Sequence, residues 1–492
     1  MKKVLVIGAG LGGLAAALRL RHAGWDVTIL EKRPRPGGRS YVIEENGFRV
    51  DTGPTILVMK DQFDETYRAV GRDINSRLKF IQLDPNYRIY DHTGRHIDLF
   101  ANMARLAAEL ETVEAGAGER VFQFLGANAL KYELGMQFVT RNYDRITQLF
   151  NLTAGLRLLQ TSAQENLYRQ VGRYFKSDLL RKAFSFHSMF LGLSPFEALA
   201  MYGLITYADL ARGMYYPIGG IYAIVEDLAR MAKEDGILLR TSAPVAKITA
   251  AGGRVSGVRL ESGEELRADA VVSNADLPYT YRKLIAPQFR PHTPDDRLEH
   301  WKYACSGYLL YLGIDRAYPQ MRHQALYFSE NYRANLDAIF KTGTLPEQPS
   351  FHLNNPTVSD PGLAPPGHSV LYLLAPMPNL KTGQVDWQAA APRVRAYLLD
   401  QLERIVDPEI RRHILWEKQY TPLDFERDLN AAYGTAFGSL SHHFSQSAYF
   451  RPHNISRDLP GLYFVGQGTY PGIGMPMVLI SARLVAERLA QS

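Results

Sequence analysis

The chain has 492 residues, of which 46% are hydrophobic and 22% charged, with 11% aromatic side chains and a formal net charge of +6. That length exceeds what one hydrophobic core usually supports, so two or three structural regions are expected, and the composition is that of a globular protein rather than a disordered one. The single Cys305 excludes an intramolecular disulfide framework and a cysteine-rich metal site, and suits a reducing compartment. No stretch approaches the roughly 20 apolar residues that span a bilayer. Lys2 and Lys3 open like a signal peptide, but the apolar run behind them breaks into glycines after Ile7, which argues against one. The basic residues form no aromatic-interleaved platform, so no nucleic-acid partner is expected.

The first elements carry the strongest signal. Val4-Leu5-Val6-Ile7 is a short, continuous β-branched run, as a strand buried on both faces of a parallel sheet should be. It leads into Gly8-Ala9-Gly10-Leu11-Gly12-Gly13 and then the helix formers Leu14 to Leu20. In this G-x-G-x-x-G, Gly8 serves the tight turn, Gly10 the close approach of backbone to a pyrophosphate, and Gly13 helix–strand packing. The helix start offers unpaired N–H groups and partial positive charge to phosphates. Val27 to Leu30 is the second strand, ending in Glu31, placed for a ribose hydroxyl pair. Pro36-Gly37-Gly38-Arg39 and Asp51-Thr52-Gly53-Pro54-Thr55 follow, where an NAD domain would enter its next helix. A glycine pair plus arginine here resembles the glutathione-reductase-like flavoproteins of the amine-oxidase type, and Arg39 supplies a planar fork suited to phosphate.

From about 60 to 210 the pattern is mainly helical, with helices over Asp61 to Val70, Met103 to Leu110 and Arg120 to Phe138. A helix over Ala223 to Asp235 stops at Gly236, and strands follow at Ile237 to Leu239, Val245 to Ile248 and Val255 to Leu260. Ala270 to Asp276 returns a strand to the nucleotide region. Strand-like segments at Tyr308 to Leu312, Ala325 to Phe328 and Val370 to Leu374 suggest a sheet roofing a cavity. Leu462 to Thr469 and a helix from Met477 to Leu489 end the chain. The expected organisation is α/β: a discontinuous, glutathione-reductase-like FAD-binding Rossmann domain over 1–75, 222–290 and 455–492. A mixed-sheet substrate domain takes 76–120 and 291–454, and a helical, membrane-associated region takes 121–221.

Along its whole length the chain resembles the bacterial carotenoid desaturases, of the phytoene and dehydrosqualene desaturase type. Besides the N-terminal motifs, the resemblance rests on Phe184-Ser185-Phe186-His187-Ser188, Tyr216-Pro217-Ile218-Gly219-Gly220, Ser273-Asn274-Ala275-Asp276, Tyr420 to Phe425 and Gln446 to Asn454. Its most specific part is Leu462 to Pro476, including Gly466-Gln467-Gly468-Thr469-Tyr470-Pro471. Gln467 stands where the family commonly has a small residue and Tyr470 where it often has histidine. The segments Ser306 to Ile314 and Ser359 to Pro365 lean toward the thirty-carbon members.

The resemblance implies FAD held by Gly8, Gly10, Leu11, Gly12, Gly13, Glu31, Lys32, Gly38, Arg39, Gly53, Pro54, Thr55, Val245, Gly466, Gly468, Pro476, Met477 and Val478. It implies desaturation of a colourless C30 or C40 polyene, with quinone or oxygen as electron acceptor. An allylic C–H can give hydride to flavin because the cation left is delocalised, and a weak base or water can then take the neighbouring proton. The protein's task is to hold the chain, exclude water and tolerate positive charge. Tyr470, Tyr216 and His187 are the candidates beside the reacting chain, with Tyr215, Tyr308 and Tyr311 as further aromatic faces for the cation. The apolar residues Phe150, Leu152, Leu156, Leu158, Leu159, Tyr174, Phe175, Leu179 and Leu180 lie among Arg145, Arg157, Arg169, Arg173, Lys176, Arg181 and Lys182. They resemble an interfacial patch, so attachment to the inner face of the cell membrane is expected. A carotenoid oxidase or oxygenase, a redox-neutral carotene isomerase and a flavin-free prenyl-chain binder remain open alternatives.

Overall fold

The computed structural model describes residues 1–149 and 162–491. Lys3–Ile7 pairs in parallel with Asp26–Leu30 on one side and Ala270–Ser273 on the other. Leu238–Arg240 extends the sheet beyond Asp26–Leu30, and Leu462–Phe464 extends it beyond Ala270–Ser273. The five-stranded sheet therefore takes strands from the beginning, middle and end of the chain. Helices Leu11–His22, Tyr222–Glu234 and Met475–Ala490 share its core, through Leu14, Leu18, Val225, Leu228, Leu479 and Val485. Parallel strands are covered on both faces, which is why Val4, Val6 and Ile29 read as apolar runs rather than alternating ones.

A seven-stranded mixed sheet forms the second layer, in the order Ile414–Tyr420, Ser306–Ile314, Ser369–Met377, Phe351–Asn354, Gln324–Tyr327, Tyr87–Tyr90, His96–Leu99. Ser306–Ile314 is buried at every position, because helix Trp387–Ile405 packs on one face while the other turns toward the nucleotide-binding layer. The stretch from 60 to 210 is mainly helical, but three short strands interrupt it. Phe80–Gln82, Tyr87–Tyr90 and His96–Leu99 are strands, and Tyr87–Tyr90 pairs in parallel with Gln324–Tyr327, a partner more than two hundred residues away. A four-residue segment is too short to declare its period; the remote partner makes it a strand.

Helices Ala117–Val139, Leu167–Tyr174 and Gly203–Leu210 build the remaining region. Of the residues in the expected interfacial patch, Phe150, Leu152, Leu156, Arg157, Leu158 and Leu159 lie outside the described residues. Among the others, Phe175 and Leu180 are core residues, and Arg173 and Lys182 pair with Glu165 and Asp178. This part of the patch is thus ordinary helical packing, with the apolar groups turned inward.

Lys131 ties the helical region together. Its ammonium is fully buried and donates to Asn128 Oδ1 at 3.0 Å, Gln170 Oε1 at 2.5 Å and the Ala200 carbonyl at 2.8 Å. Burial lowers its pKa to about 8, partly offset by Glu165. Lys131→Met leaves these acceptors unpaired and is expected to destabilise the fold by at least about 3 kcal/mol in urea unfolding. An unfolded lysine titrates near 10.5, so between about 8 and that value the unfolded chain holds the extra proton. The wild type therefore gains stability as pH rises through that interval, and the deficit of the variant widens.

Candidate active site

A cavity of about 2040 Å³ runs from the glycine turn, between the two sheets, to the helical region. Sites for one small ligand usually occupy about 300–1,000 Å³, so this one has room for a dinucleotide and a long second ligand together.

At one end the N-terminal motif folds as a cradle. Gly13 does not reach the cavity; a Cβ there would lie 2.0 Å from the Gly8 carbonyl oxygen, so only glycine lets the helix seat on the turn. Cβ atoms on Gly10 and Gly12 would fall 2.9 and 2.8 Å from the Asn274 side chain. These absences leave the backbone of the helix start open to a ligand. The Glu31 carboxylate is buried, accepting the Ala9 N–H at 2.8 Å and the Arg33 N–H at 2.9 Å, and it faces the same space. Gly8, Gly10, Leu11, Gly12, Lys32, Gly38, Arg39, Gly53, Pro54, Thr55 and Val245 also line the cavity.

Arg39 differs from the free phosphate fork expected of it. Its Nη1 donates to the Thr435 and Ala436 carbonyls at 2.8 and 2.9 Å, and burial lowers its pKa while Asp276 opposes that shift. It clamps a remote loop to the nucleotide end. Lys32 donates to Asn430 Oδ1 at 3.0 Å, and its pKa is lowered by burial against the pull of Glu31.

The C-terminal signature supplies the opposite wall, with Gly466, Gly468, Pro476, Met477 and Val478 on the cavity. Arg451 sits behind it, fully buried, donating to the carbonyls of Thr469, Gln446, Leu440 and Gln467. Desolvation lowers its pKa to about 10, so the guanidinium stays charged. It fixes the backbone of the signature loop from the side away from the cavity. Ile473 N–H donates to His442 Nε2 at 3.2 Å, and burial, with Arg451 nearby, keeps that imidazole neutral.

The aromatic candidates are corrected. None of Tyr470, Tyr216, Tyr215, Tyr308 and Tyr311 lines the cavity, nor does His187. Tyr470 is buried away from the cavity lining, packs with Ile480 and Leu484, and donates its hydroxyl to the Phe138 carbonyl at 2.7 Å. His187 is fully buried, with Nε2 2.9 Å from Asp209 Oδ2 and Nδ1 3.1 Å from Thr206 Oγ1. The Tyr216 ring lies against His323, Tyr215 sits on the short strand paired with Phe80–Gln82, and the Tyr308 and Tyr311 hydroxyls donate to Gln419 Oε1 and the Thr52 carbonyl. Each fills protein space rather than ligand space.

Four residues that the sequence did not single out shape the site: Asn274, Arg451, His442 and His352. Asn274 and Arg451 stand inside motifs quoted above, so a signal existed without a role attached. His442 and His352 carry none, because their positions follow from tertiary contacts.

The donor set suits FAD: a glycine turn at a helix N-terminus, a buried acid at the end of the second strand, and a second glycine loop facing them. A family model described as flavin containing amine oxidoreductase matches residues 11–490. The chain belongs to that family. It is an FAD-dependent oxidoreductase, of mixed α/β fold. A zeta-carotene-forming phytoene desaturase from Myxococcus xanthus is 41% identical over 99% of this chain and 94% of its own. A 4,4'-diapophytoene desaturase from Methylomonas sp is 36% identical over 100% of this chain and 95% of its own. A solved structure of a putrescine oxidase variant superposes with a TM-score of 0.66 at 13% identity, covering 100% of this chain and 99% of that one, a likeness of fold.

The packing of Tyr470 away from the cavity lining makes a clear expectation. Tyr470→Phe in the FAD-loaded enzyme should keep turnover within about threefold of wild type and lose about 1 kcal/mol of stability, since it leaves the Phe138 carbonyl unpaired.

Proposed function

We propose that this flavoenzyme introduces C=C bonds into a colourless C30 or C40 polyene, 4,4'-diapophytoene or phytoene, in carotenoid biosynthesis. The observation that carries this reading is the continuation of the FAD cradle into an apolar channel. Val58, Met59, Leu134, Met136, Phe138 and Leu204 line it beyond the Gly466–Gly474 loop. Bound FAD supplies a two-electron oxidant for an allylic C–H. The chain's own side chains hold the polyene in register, keep water from the charge that develops, and offer soft surface to it. Full-length similarity to desaturases of both chain lengths supports the reaction class. We assign the FAD contacts to the cavity-lining residues named above, with Gly13 in a packing role.

A polyene of this kind is delivered from lipid, so we place the entrance at a membrane surface. Among the described residues, no helix is long and apolar enough to cross a membrane. The rim of the cavity includes Arg141, Tyr143, Gln148, Tyr449 and Phe450, and Phe450 and nearby Ile146 expose about half of their surface. Apolar side chains flanked by Arg141 and Arg145 suit peripheral attachment to an anionic leaflet. Re-oxidation is assigned to a quinone or oxygen.

Expression beside synthases for the thirty- and forty-carbon precursors tests the reading. Coloured polyenes with additional double bonds are expected, and the protein should sediment with anionic vesicles. Terminal aldehydes, or an isomer of unchanged hydrogen count, would replace this reading with that of an oxidase or an isomerase.

A further inference from the structure

On the roof strand Phe351–Asn354, His352 lines the cavity and is 8% exposed. Its hydrogen bonding fixes its tautomer. Gln324, fully buried on the adjacent strand, donates its amide Nε2 to the Thr55 carbonyl at 2.8 Å. A carbonyl only accepts, so the other end of that amide, Oε1, faces His352. His352 Nε2 lies 2.6 Å from it and must be the donor. The neutral ring then carries its proton on Nε2, and Nδ1 is left with a lone pair. Among the described residues Nδ1 has no hydrogen-bond partner. The Gln324 amide also ties the ring to Thr55, a residue of the FAD-facing Asp51–Thr55 loop.

An unpartnered basic nitrogen on a residue that lines the cavity is available to a ligand there. Resting on the desaturase reading above, we propose that His352 is the catalytic base, its Nδ1 taking the proton in each desaturation step. One hydrogen leaves carbon with both electrons of its C–H bond, to oxidised flavin. The hydrogen on the neighbouring carbon leaves as a proton to Nδ1, and the electron pair of that second bond becomes the new π bond. The imidazolium regains neutrality by passing its proton to water when the channel opens. A weak base suffices, because a C–H beside an allylic cation is strongly acidic. Burial holds the imidazole pKa near 3, with His323 likewise kept neutral beside it, so the lone pair is available before substrate reacts.

His352→Gln separates this role from a structural one. The glutamine Nε2 can take the place of the imidazole Nε2 and keep the bond to Gln324, but nothing replaces Nδ1. FAD content and affinity for the neutral precursor should match wild type, while formation of the desaturated product in a single anaerobic turnover slows about a hundredfold or more. A rate within threefold of wild type overturns the proposal, since a positioning role is rescued by this substitution. Binding gives a second test on the wild type itself. A polyene analogue with a protonated amine at the reacting carbon can donate N–H to Nδ1, and should bind at least about tenfold tighter than the neutral hydrocarbon, a preference lost in His352→Gln. Equal affinities in the wild type overturn the proposal. A wild type whose flavin no polyene reduces would instead overturn the substrate reading, and the proposal with it.

Discussion

Asn274 sits where three distant parts of the chain meet, and the site depends on that junction. Its amide Nδ2 donates to the Gly8 carbonyl at 3.4 Å, while a Cβ on Gly10, Gly12 or Gly466 would lie within 3.0 Å of its side chain. One short polar residue on the middle strand thus spaces the N-terminal turn from the C-terminal signature, and each neighbour must be glycine for the spacing to hold. Glycine is disfavoured on entropic grounds, so its concentration here reflects close approach rather than flexibility. A larger side chain at any of these positions would separate the nucleotide cradle from the loop that faces it.

The two buried arginines of the site are held by backbone carbonyls. The Arg451 guanidinium donates to four carbonyls and, among the described residues, pairs with no carboxylate, while Arg39 donates to two more carbonyls. The Thr469 and Gln467 carbonyls of the signature loop are turned toward Arg451. The substrate half of the cavity is different: apolar walls, few polar atoms and neutral histidines. A cation formed there meets polarisable surface.

The nucleotide half was legible in the sequence because it is local. Gly8 to Gly13 and Gly53 act through backbone geometry that a short motif dictates, Glu31 through a carboxylate at the end of a strand, and the helices at Arg120–Phe138 and Met477–Leu489 announced themselves by apolar period. The side chains of the reacting half were not legible. Whether Tyr470 points into the cavity or at Ile480 depends on the packing of a helix against Phe138, and nothing in Gly466 to Pro476 encodes that direction. The His352–Gln324–Thr55 chain needs the pairing of Leu326 with His352 across adjacent strands, and so the register of a sheet whose strands are scattered from residue 87 to 420.

The central claim is that one continuous cavity brings flavin and polyene into contact. Anaerobic mixing of the FAD-loaded protein with precursor-bearing vesicles, followed by the visible absorption of the flavin, tests it most directly. The flavin should bleach in proportion to the double bonds formed, with no added reductant. A flavin that stays oxidised beside a bound thirty- or forty-carbon precursor would contradict the account.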